Sequence, residues 1–120
     1  MTPEIRYHTV NNIKIAEVIT TSPISGPDDI LDLMADARYN GSGSMVINSS
    51  DFSPEFFDLK TGIAGEILQK FSNYRMRLSI VGDFSKVKSK SLNDFMRESN
   101  TIGTISFVSS LSDALMRLGK

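Results

Sequence analysis

The sequence has 120 residues, of which 40% are hydrophobic and 22% are charged, and these proportions exclude a disordered or fibrous chain. One hydrophobic core suits this length, so residues 1–120 are expected to form a single domain. Thirteen basic and fourteen acidic residues give a formal net charge of -1, and no stretch is basic enough to follow a phosphate backbone, so we expect no nucleic-acid partner.

The chain contains no cysteine, which excludes disulfides, thiol chemistry and thiolate metal sites and favours a reducing compartment. No apolar run approaches the roughly 20 residues that are needed to cross a bilayer. Residues 1–6 lack the basic and then apolar order of a signal peptide. These features predict a cytoplasmic protein with no membrane partner.

The first predicted elements are two strands and a helix. Residues 5–10 and 13–19 are rich in β-branched and apolar types, and Asn11-Asn12 between them suits the positive φ of a tight hairpin turn, so we expect an antiparallel pair. Residues 25–29, Ser-Gly-Pro-Asp-Asp, offer a capping side chain, a proline at the first helical position and carboxylates at the positive end of a helix dipole. They predict an amphipathic helix that stops at Gly41. Its apolar residues are Ile30, Leu31, Met34 and Ala37.

The middle of the chain predicts a buried strand and a long helix. Residues 44–47, Ser-Met-Val-Ile, form a short apolar run that a polar loop follows, as expected of a central strand. Ser53-Pro54 can open a short turn. Beyond Gly62 an apolar stripe predicts a helix in which Gly65 permits close packing on the sheet. The stripe consists of Ile63, Ala64, Ile67, Leu68 and Phe71.

Two further pairs of strand and helix complete the chain. Residues 78–82 and 105–108 predict strands, residues 91–94 resemble a capping box that opens a helix, and Ser110 caps a last helix that ends at Gly119. The order is ββαβαβαβα, and strands separated by one helix lie parallel through right-handed crossovers. The sequence therefore predicts an α/β fold: a mixed sheet with an antiparallel N-terminal hairpin, then parallel strands, and four helices.

Polar clusters follow the predicted parallel strands, at the sheet edge where open α/β sheets usually bind ligands. Capping of strand and helix ends is the simpler interpretation of such residues, and a ligand pocket is the alternative. This candidate pocket consists of Asn48, Ser49, Asp51, Asp83, Ser85 and Lys86.

No recognisable catalytic set accompanies these clusters. The single histidine, His8, lies far in sequence from the serines at the strand ends, so no nucleophilic triad is expected. The chain lacks a nucleophile elbow and a phosphate-binding loop, and Asp51, Asp58 and Asp83 lack the spacing of a metal site. We therefore expect no metal and no cofactor, and a non-enzymatic role is favoured over an enzymatic one.

Three phenylalanines lie in the polar loop after the third predicted strand, at positions 52, 56 and 57. Large aromatic side chains in such a loop either anchor it to the core or offer a partner a hydrophobic contact. Anchoring is the commoner role, because most aromatic side chains are buried.

Nearly the whole chain resembles a family of short bacterial proteins, domain of unknown function four-one-eight-zero. The resemblance is carried by residues 56–71 (FFDLKTGIAGEILQKF), by residues 81–85 (VGDFS) with 89–92 (SKSL), and by residues 107–110 (FVSS). It identifies a family without identifying an activity.

The order of elements also resembles the STAS domain, the sulphate transporter and anti-sigma-factor antagonist module. In that module a loop carries Asp-Ser-Ser-Gly at the start of a helix, and the serine before the glycine is phosphorylated. The nearest segment in this chain is 58–62, Asp-Leu-Lys-Thr-Gly, which places Thr61 in the hydroxyl position before Gly62. The resemblance implies a regulatory protein-binding domain with a candidate phosphorylation switch at Thr61, since a helix N-terminus stabilises an added phosphate.

Two functions from different classes follow from these observations. The first is a STAS-like regulatory module that binds an unidentified protein through residues 56–66. The second is a small-molecule binder or small enzyme that uses the candidate pocket. A homodimer formed through the first two strands is a third arrangement that the sequence leaves open. The predicted partner surface of the first function consists of Phe56, Phe57, Asp58, Lys60, Gly62 and Glu66.

Overall fold

The structure is a computed structural model that describes residues 3–120. Met1 and Thr2, which belong to the N-terminal segment considered above, lie outside the described residues. Within residues 3–120 the chain forms five strands and four α-helices, and three short 3-10 turns at Ser49–Asp51, Pro54–Phe57 and Leu59–Thr61 follow the third strand. The elements are β1 Glu4–Val10, β2 Ile13–Ile19, α1 Pro27–Tyr39, β3 Ser44–Asn48, α2 Ile63–Asn73, β4 Arg77–Val81, α3 Lys90–Ile102, β5 Ile105–Val108 and α4 Leu111–Leu118.

The five strands lie side by side in the order in which they occur in the chain, β1-β2-β3-β4-β5. β1 and β2 are antiparallel, and the later neighbours are parallel, so the predicted mixed sheet is confirmed. Asn11 and Asn12 make the two-residue turn of the hairpin with φ values of 52° and 65°, as predicted. Asparagine tolerates this left-handed conformation better than most residues do.

Helices α1, α2 and α3 pack on one face of the sheet and form the main core with it. Each of them connects two neighbouring parallel strands, and every step runs in the same direction across the sheet. Because such crossovers are right-handed, all three helices are placed on one face. Their buried apolar side chains cover alternate residues of the strands, such as Met45 and Ile47 on β3 and Leu78 and Ile80 on β4.

Helix α4 packs on the opposite face and forms a second, smaller core. Ala114 and Leu118 form one buried cluster with Ile15 on β2, Val46 on β3 and Val108 on β5. The helix runs from the end of β5 to the hairpin turn, where the Asn11 side-chain amide donates a hydrogen bond to the Gly119 carbonyl oxygen over 2.9 Å. The sheet is therefore covered on both faces, by three helices on one and by one short helix on the other.

The N-termini of α1 and α3 differ from the predictions. Gly26 precedes α1 and no side chain caps the helix; instead the Asp29 carboxylate accepts hydrogen bonds from the Ser25 N–H at 3.0 Å and from its hydroxyl at 3.2 Å. The predicted start of α3 at residue 91 is wrong, because the Ser89 hydroxyl accepts the Leu92 N–H at 3.2 Å and the helix begins at Lys90.

Two further details concern single residues. The Ser110 hydroxyl accepts the Asp113 N–H at 3.1 Å, so the predicted cap of α4 is confirmed. Gly65 is exposed and no atom lies within 4 Å of the position that a Cβ would occupy there. The prediction that Gly65 serves close packing on the sheet is therefore wrong.

Candidate functional site

The loops that follow β3 and β4 meet at one edge of the sheet, because parallel strands end on the same side. At this edge Gly82 lies so close to Ser49 that a Cβ on the glycine would clash with the serine Oγ. Farther along the same loops, the rings of Phe57 and Phe84 have their centroids 6.4 Å apart. The loops that follow β3 and β4 therefore lie against each other at this edge of the sheet, as the parallel strands predicted.

A chain of aromatic rings fixes the long loop between β3 and α2. Phe52 and Phe56 are stacked with their centroids 4.1 Å apart, and Phe57 meets Phe56 edge to face at 4.9 Å. Phe52 and Phe56 are buried, with Phe56 only 1% exposed, so the anchoring interpretation is confirmed for these two residues. Phe56 consequently cannot contribute contact area to the predicted partner surface, whereas Phe57 is half-buried and can.

Thr61 holds the last part of this loop together although it is exposed. Its hydroxyl lies 2.8 Å from the Glu55 carbonyl oxygen and 2.9 Å from that of Asp58, and its Oγ1 accepts the Ile63 N–H at 3.3 Å. A hydroxyl has one proton, so the two carbonyl oxygens share it. One side chain thus ties two 3-10 turns to the first residue of α2.

The residues on either side of Thr61 form an exposed surface. Asp58 caps the turn through its carboxylate, which accepts the Lys60 N–H at 3.2 Å, and Gly62 adopts a left-handed conformation with φ of 77° before α2 begins. Leu59, at the first position of the turn, is 37% exposed. Sequence reasoning did not select Leu59, although an apolar residue between Asp58 and Lys60 in a turn is a signal that could have found it.

This surface continues towards the start of α3. Phe57, Asp58, Leu59 and Lys60 line a cleft of about 380 Å³ whose opposite wall carries Ser89 and Ser91. The loop after β3 and the loop after β4 therefore contribute jointly to one exposed region.

The two aspartates of the candidate pocket have different surroundings. Asp51 lies beside the end of β2, where its carboxylate accepts a hydrogen bond from the Thr20 backbone. Its Oδ2 and the Ser53 Oγ are buried and have no hydrogen-bond partner within residues 3–120. Burial raises the pKa of Asp51 above its ordinary value, and the Thr20 hydrogen bond offsets part of this effect.

Asp83 has a different environment at the end of β4. Its Oδ1 accepts hydrogen bonds from the Ser85 hydroxyl at 2.6 Å and from the Ser85 N–H at 3.1 Å. These bonds hold the pKa of the exposed Asp83 carboxyl below its ordinary value. Asp83 is therefore a carboxylate at neutral pH.

A cleft with a volume of about 600 Å³ lies at this edge, between Asp83 and helix α4. Asp83 and Ser85 line it, but the other four members of the candidate pocket lie outside it. Its other charged lining residues come from the end of the chain and were not selected by sequence reasoning. They are Asp113, Arg117 and Lys120.

His8 is bonded to a carboxylate on the neighbouring strand. Its Nε2 lies 2.9 Å from Oε1 of Glu17. His8 lies directly opposite Ile15 in the antiparallel pair, so it projects on the face of the sheet that α4 covers in part. The part of the chain that the structure describes contains no group of three acidic or histidine side chains close enough to hold a metal ion.

These features define a small α/β domain with a mixed five-stranded sheet, whose carboxyl edge carries polar loops and an exposed helix entrance. Among residues 3–120 no helix combines the length and the apolar character that a membrane span requires. The chain belongs to the family described as Domain of unknown function (DUF4180), whose model matches residues 10–118. No curated protein and no solved structure matches the chain.

Proposed function

We propose that this protein is a non-enzymatic, regulatory protein-interaction module of STAS-like architecture. A partner protein contacts the surface around Thr61, called the Thr61 surface below. The lack of cysteine supports the cytoplasm as its compartment. The Thr61 surface consists of Thr61 and of Phe57, Asp58, Leu59, Lys60, Gly62 and Glu66.

The observation that carries this proposal is the bonding of the Thr61 hydroxyl. An exposed side chain that holds two carbonyl oxygens and one N–H controls the shape of the loop while it stays accessible to a modifying enzyme. Leu59, which this loop displays, offers a partner an apolar contact between two charged neighbours. Apolar contacts with a polar rim are typical of protein interfaces.

Phosphorylation of Thr61 would change this surface in two ways. A phosphate ester has no hydroxyl proton, so the bonds to the Glu55 and Asp58 carbonyl oxygens are lost and the new charge repels both oxygens. The N-terminus of α2 stabilises the phosphate at the same time, because its first N–H groups and its dipole favour an anion. The loop 55–62 is then released while the modified side chain remains at the helix entrance.

The structural part of the proposal is tested with Thr61→Ser, Thr61→Val and Thr61→Glu. Hydrogen exchange of the amides in residues 58–63 is expected to stay unchanged in Thr61→Ser and to become faster in the other two variants. Thr101→Val is the matched control, because Thr101 is also exposed and donates one hydrogen bond, to the Arg97 carbonyl oxygen on α3. Equal exchange in Thr61→Val and wild type would show that the hydroxyl does not hold the loop.

The partner is sought by affinity capture of the full chain from cells of the source organism. A protein retained by wild type and by Thr61→Ser, but lost with Leu59→Glu and Thr61→Glu, is the expected result. Met116→Glu is the control, because Met116 is 63% exposed on α4, on the opposite face of the sheet. If Leu59→Glu and Thr61→Glu retain the same proteins as Met116→Glu, the Thr61 surface binds no partner.

A second candidate function, a small-molecule binder, is favoured by the cleft of about 600 Å³ beside Asp83. Its volume is that of a small-ligand site, and its lining includes two carboxylates, Asp83 and Asp113, and the cations Arg117 and Lys120. Opposite charges on one cleft suit a zwitterionic ligand. Free amino acids at millimolar concentration are the probe. A rise in Tm of the wild type that Asp83→Asn and Arg117→Ala both abolish would support this function. The absence of a rise in wild type with every amino acid tested would reject it.

A further inference from the structure

Strand β1 forms one lateral edge of the sheet, and no other strand of residues 3–120 pairs with its outer side. Val10 and Ile13 flank the two-residue turn, so they form a hydrogen-bonded pair of the hairpin. Hydrogen-bonded and non-hydrogen-bonded positions alternate along an antiparallel pair. The N–H and C=O groups of every second residue of β1 therefore point away from β2. These residues, called the β1 edge below, are Ile5, Tyr7 and Thr9.

The opposite lateral edge of the sheet is closed. There the Asn100 side chain on α3 forms hydrogen bonds with both main-chain groups of Phe107 on β5, over 2.6 Å and 3.2 Å. In the part of the chain that the structure describes, no side chain does the same for the β1 edge. Exposed main-chain groups of this kind pair readily with a further strand. The fold thus protects β5 and leaves β1 able to accept a strand.

Helix α1 borders the β1 edge on one face of the sheet. The Tyr7 hydroxyl lies 3.5 Å from the Asp36 carbonyl oxygen, so this flank of α1 lies beside β1. The other flank faces α2 and includes Leu31 and Arg38. At 3.6 residues per turn, three acidic residues of α1 lie within about 60° of one another, on the flank beside β1. They are Asp29, Asp32 and Asp36.

These three carboxylates leave a negative charge beside the β1 edge. Asp32 and Asp36 are exposed, and neither forms an ion pair within residues 3–120. Asp29 is exposed as well and accepts hydrogen bonds from Ser25. Lys14, on the same face of β2, supplies one cation, and its Nζ lies 4.8 Å from the centroid of the Tyr7 ring. Three carboxylates against one cation therefore border this edge.

The charged side chains of β1 on the opposite face of the sheet are already paired. Nε of Arg6 lies 3.3 Å from Oε1 of Glu4, and Nε2 of His8 lies 2.9 Å from Oε1 of Glu17. A strand beside β1 therefore meets carboxylates without an ion pair on the face that α1 covers, and paired groups on the other.

We propose that the β1 edge accepts a strand from a partner protein in which every second residue is lysine or arginine. The main chain of that strand bonds Ile5, Tyr7 and Thr9, as in other cases of strand addition. Its basic side chains point to the face that α1 covers and meet Asp32 and Asp36. Neighbouring strands lie about 4.8 Å apart, a distance that the long side chains of lysine and arginine can bridge.

A second copy of this chain is a poorer occupant of the β1 edge. Two-fold pairing of β1 with β1 would bring the acidic flanks of both α1 helices to the same junction. On the face that α1 covers, β1 itself offers no basic residue, since its side chains there are Ile5, Tyr7 and Thr9. The proposal does not rest on the Thr61 surface, which shares no residue with β1 or α1.

The test is an NMR titration of the full, ¹⁵N-labelled chain with short synthetic peptides. In the first peptide lysine alternates with threonine, and in the second glutamate replaces lysine. We expect the lysine peptide alone to slow hydrogen exchange of the Ile5, Tyr7 and Thr9 amides. The Arg6 and His8 amides, which already bond β2, should not change. Equal protection by the glutamate peptide, or protection of other strands instead, would overturn the proposal.

N-methylation of the lysine peptide distinguishes a paired strand from a purely electrostatic contact. The N–H groups of alternate residues in a strand point to the same side. One version of the peptide carries the methyl groups on its lysine amides, and the other carries them on its threonine amides. One version should bind about tenfold more weakly or worse, because several hydrogen bonds are lost, and the other should bind as the unmodified peptide does. Equal affinity of the two versions would overturn the proposal.

Two double variants test the role of charge. Asp32→Asn with Asp36→Asn is expected to weaken binding of the lysine peptide about two- to tenfold, the effect of two exposed ion pairs. Asp28→Asn with Glu66→Gln is the matched control, because these carboxylates line a hollow between α1 and α2. It should leave binding unchanged. Equal weakening in the two double variants, or no weakening in the first, would overturn the proposal.

Self-association is the remaining outcome to be distinguished. Protection of the Ile5, Tyr7 and Thr9 amides that increases with the concentration of the chain alone would mean that a second copy occupies the β1 edge. That result would also overturn the proposal of a basic partner strand.

Discussion

The outer edge of the sheet at β5 is covered by one side chain of α3, that of Asn100. The Phe107 N–H donates to Oδ1 of Asn100 over 2.6 Å, and Nδ2 of Asn100 donates to the Phe107 carbonyl oxygen over 3.2 Å. The residues on either side of this position turn towards β4, as the hydrogen bond from the Gly82 N–H to the Val108 carbonyl oxygen shows. The main-chain groups of Phe107 therefore point away from the sheet, and Asn100 binds them as a neighbouring strand would.

Asn100→Ala removes both of these hydrogen bonds. At a net contribution of about 1 kcal/mol for each bond, we expect a loss of about 2 kcal/mol in the free energy of unfolding. A chain of this length has an unfolding entropy of about 0.25 kcal/mol/K near its midpoint, so Tm should fall by about 8 °C. The bared main-chain groups should also allow chains to associate through β5, because an unprotected edge strand pairs with other strands.

Urea unfolding and thermal melts followed by circular dichroism measure the first effect, and sedimentation velocity over a range of concentrations measures the second. Asn73→Ala is the matched control, because the Asn73 side chain accepts one hydrogen bond from Gln69 on the exposed side of α2. Its effect should stay below about 0.5 kcal/mol. A loss of stability in Asn100→Ala no greater than that of Asn73→Ala would refute the argument.

Three further predictions concern single sites. Gly82→Ala places a Cβ 2.8 Å from Cβ of Ser49 and should lower the free energy of unfolding by about 1–3 kcal/mol. Gly65→Ala lies in open space within α2 and should raise it by about 1 kcal/mol. Urea unfolding in which both variants changed stability in the same direction would contradict this. Ser110→Ala removes the cap of α4 and should cost about 1 kcal/mol, while the exposed Ser112→Ala, within the same helix, should change little; equal losses would disprove the capping role. The folded-state pKa of Asp51 is raised above 3.8, so the folded state disfavours the Asp51 carboxylate. The stability of wild type relative to Asp51→Asn should therefore fall as the pH rises from below 3.8 through the raised pKa. A stability difference that stayed constant with pH would speak against this.

The sheet could be predicted because its determinants are local. Short apolar runs such as residues 44–47 are too short to form a buried helix, so they indicate strands. Because the crossovers between parallel strands are right-handed, the alternation of strands and helices leaves one way to connect them. The turn at Asn11-Asn12 was equally readable, since two residues that tolerate positive φ lay between two apolar runs. These signals do not depend on distant parts of the chain.

The position of α4 could not be predicted in this way. No strand follows α4 within the described chain, so the handedness rule that places the other three helices does not apply to it. The cleft beside Asp83 depends on this helix, which supplies Asp113 and Arg117. For this reason sequence reasoning found one wall of the cleft and missed the other.

The direction of individual side chains was also beyond local patterns. Phe56 and Leu59 are apolar neighbours in one loop, yet Phe56 is buried and Leu59 is partly exposed, because successive 3-10 turns direct them differently. Likewise, Ser89 and Ser91 are both good helix caps, and only the contact with Leu92 distinguishes them. Asp51 and Asp83 follow neighbouring strands, but one turns towards β2 and the other towards β5.

The strands are laid down across the sheet in their order along the chain, so every strand pairs with a segment that was synthesised just before it. Contacts of this kind close short loops, which favours rapid assembly from the N-terminal hairpin outward while the rest of the chain is still being made. Ile15 and Val46, in contrast, gain their cover only when α4 arrives and the Asn11 amide reaches Gly119. Helix α4 thereby joins the β1-β2 hairpin to the last strand of the sheet, and we expect its docking to be the step that makes unfolding of the whole domain cooperative.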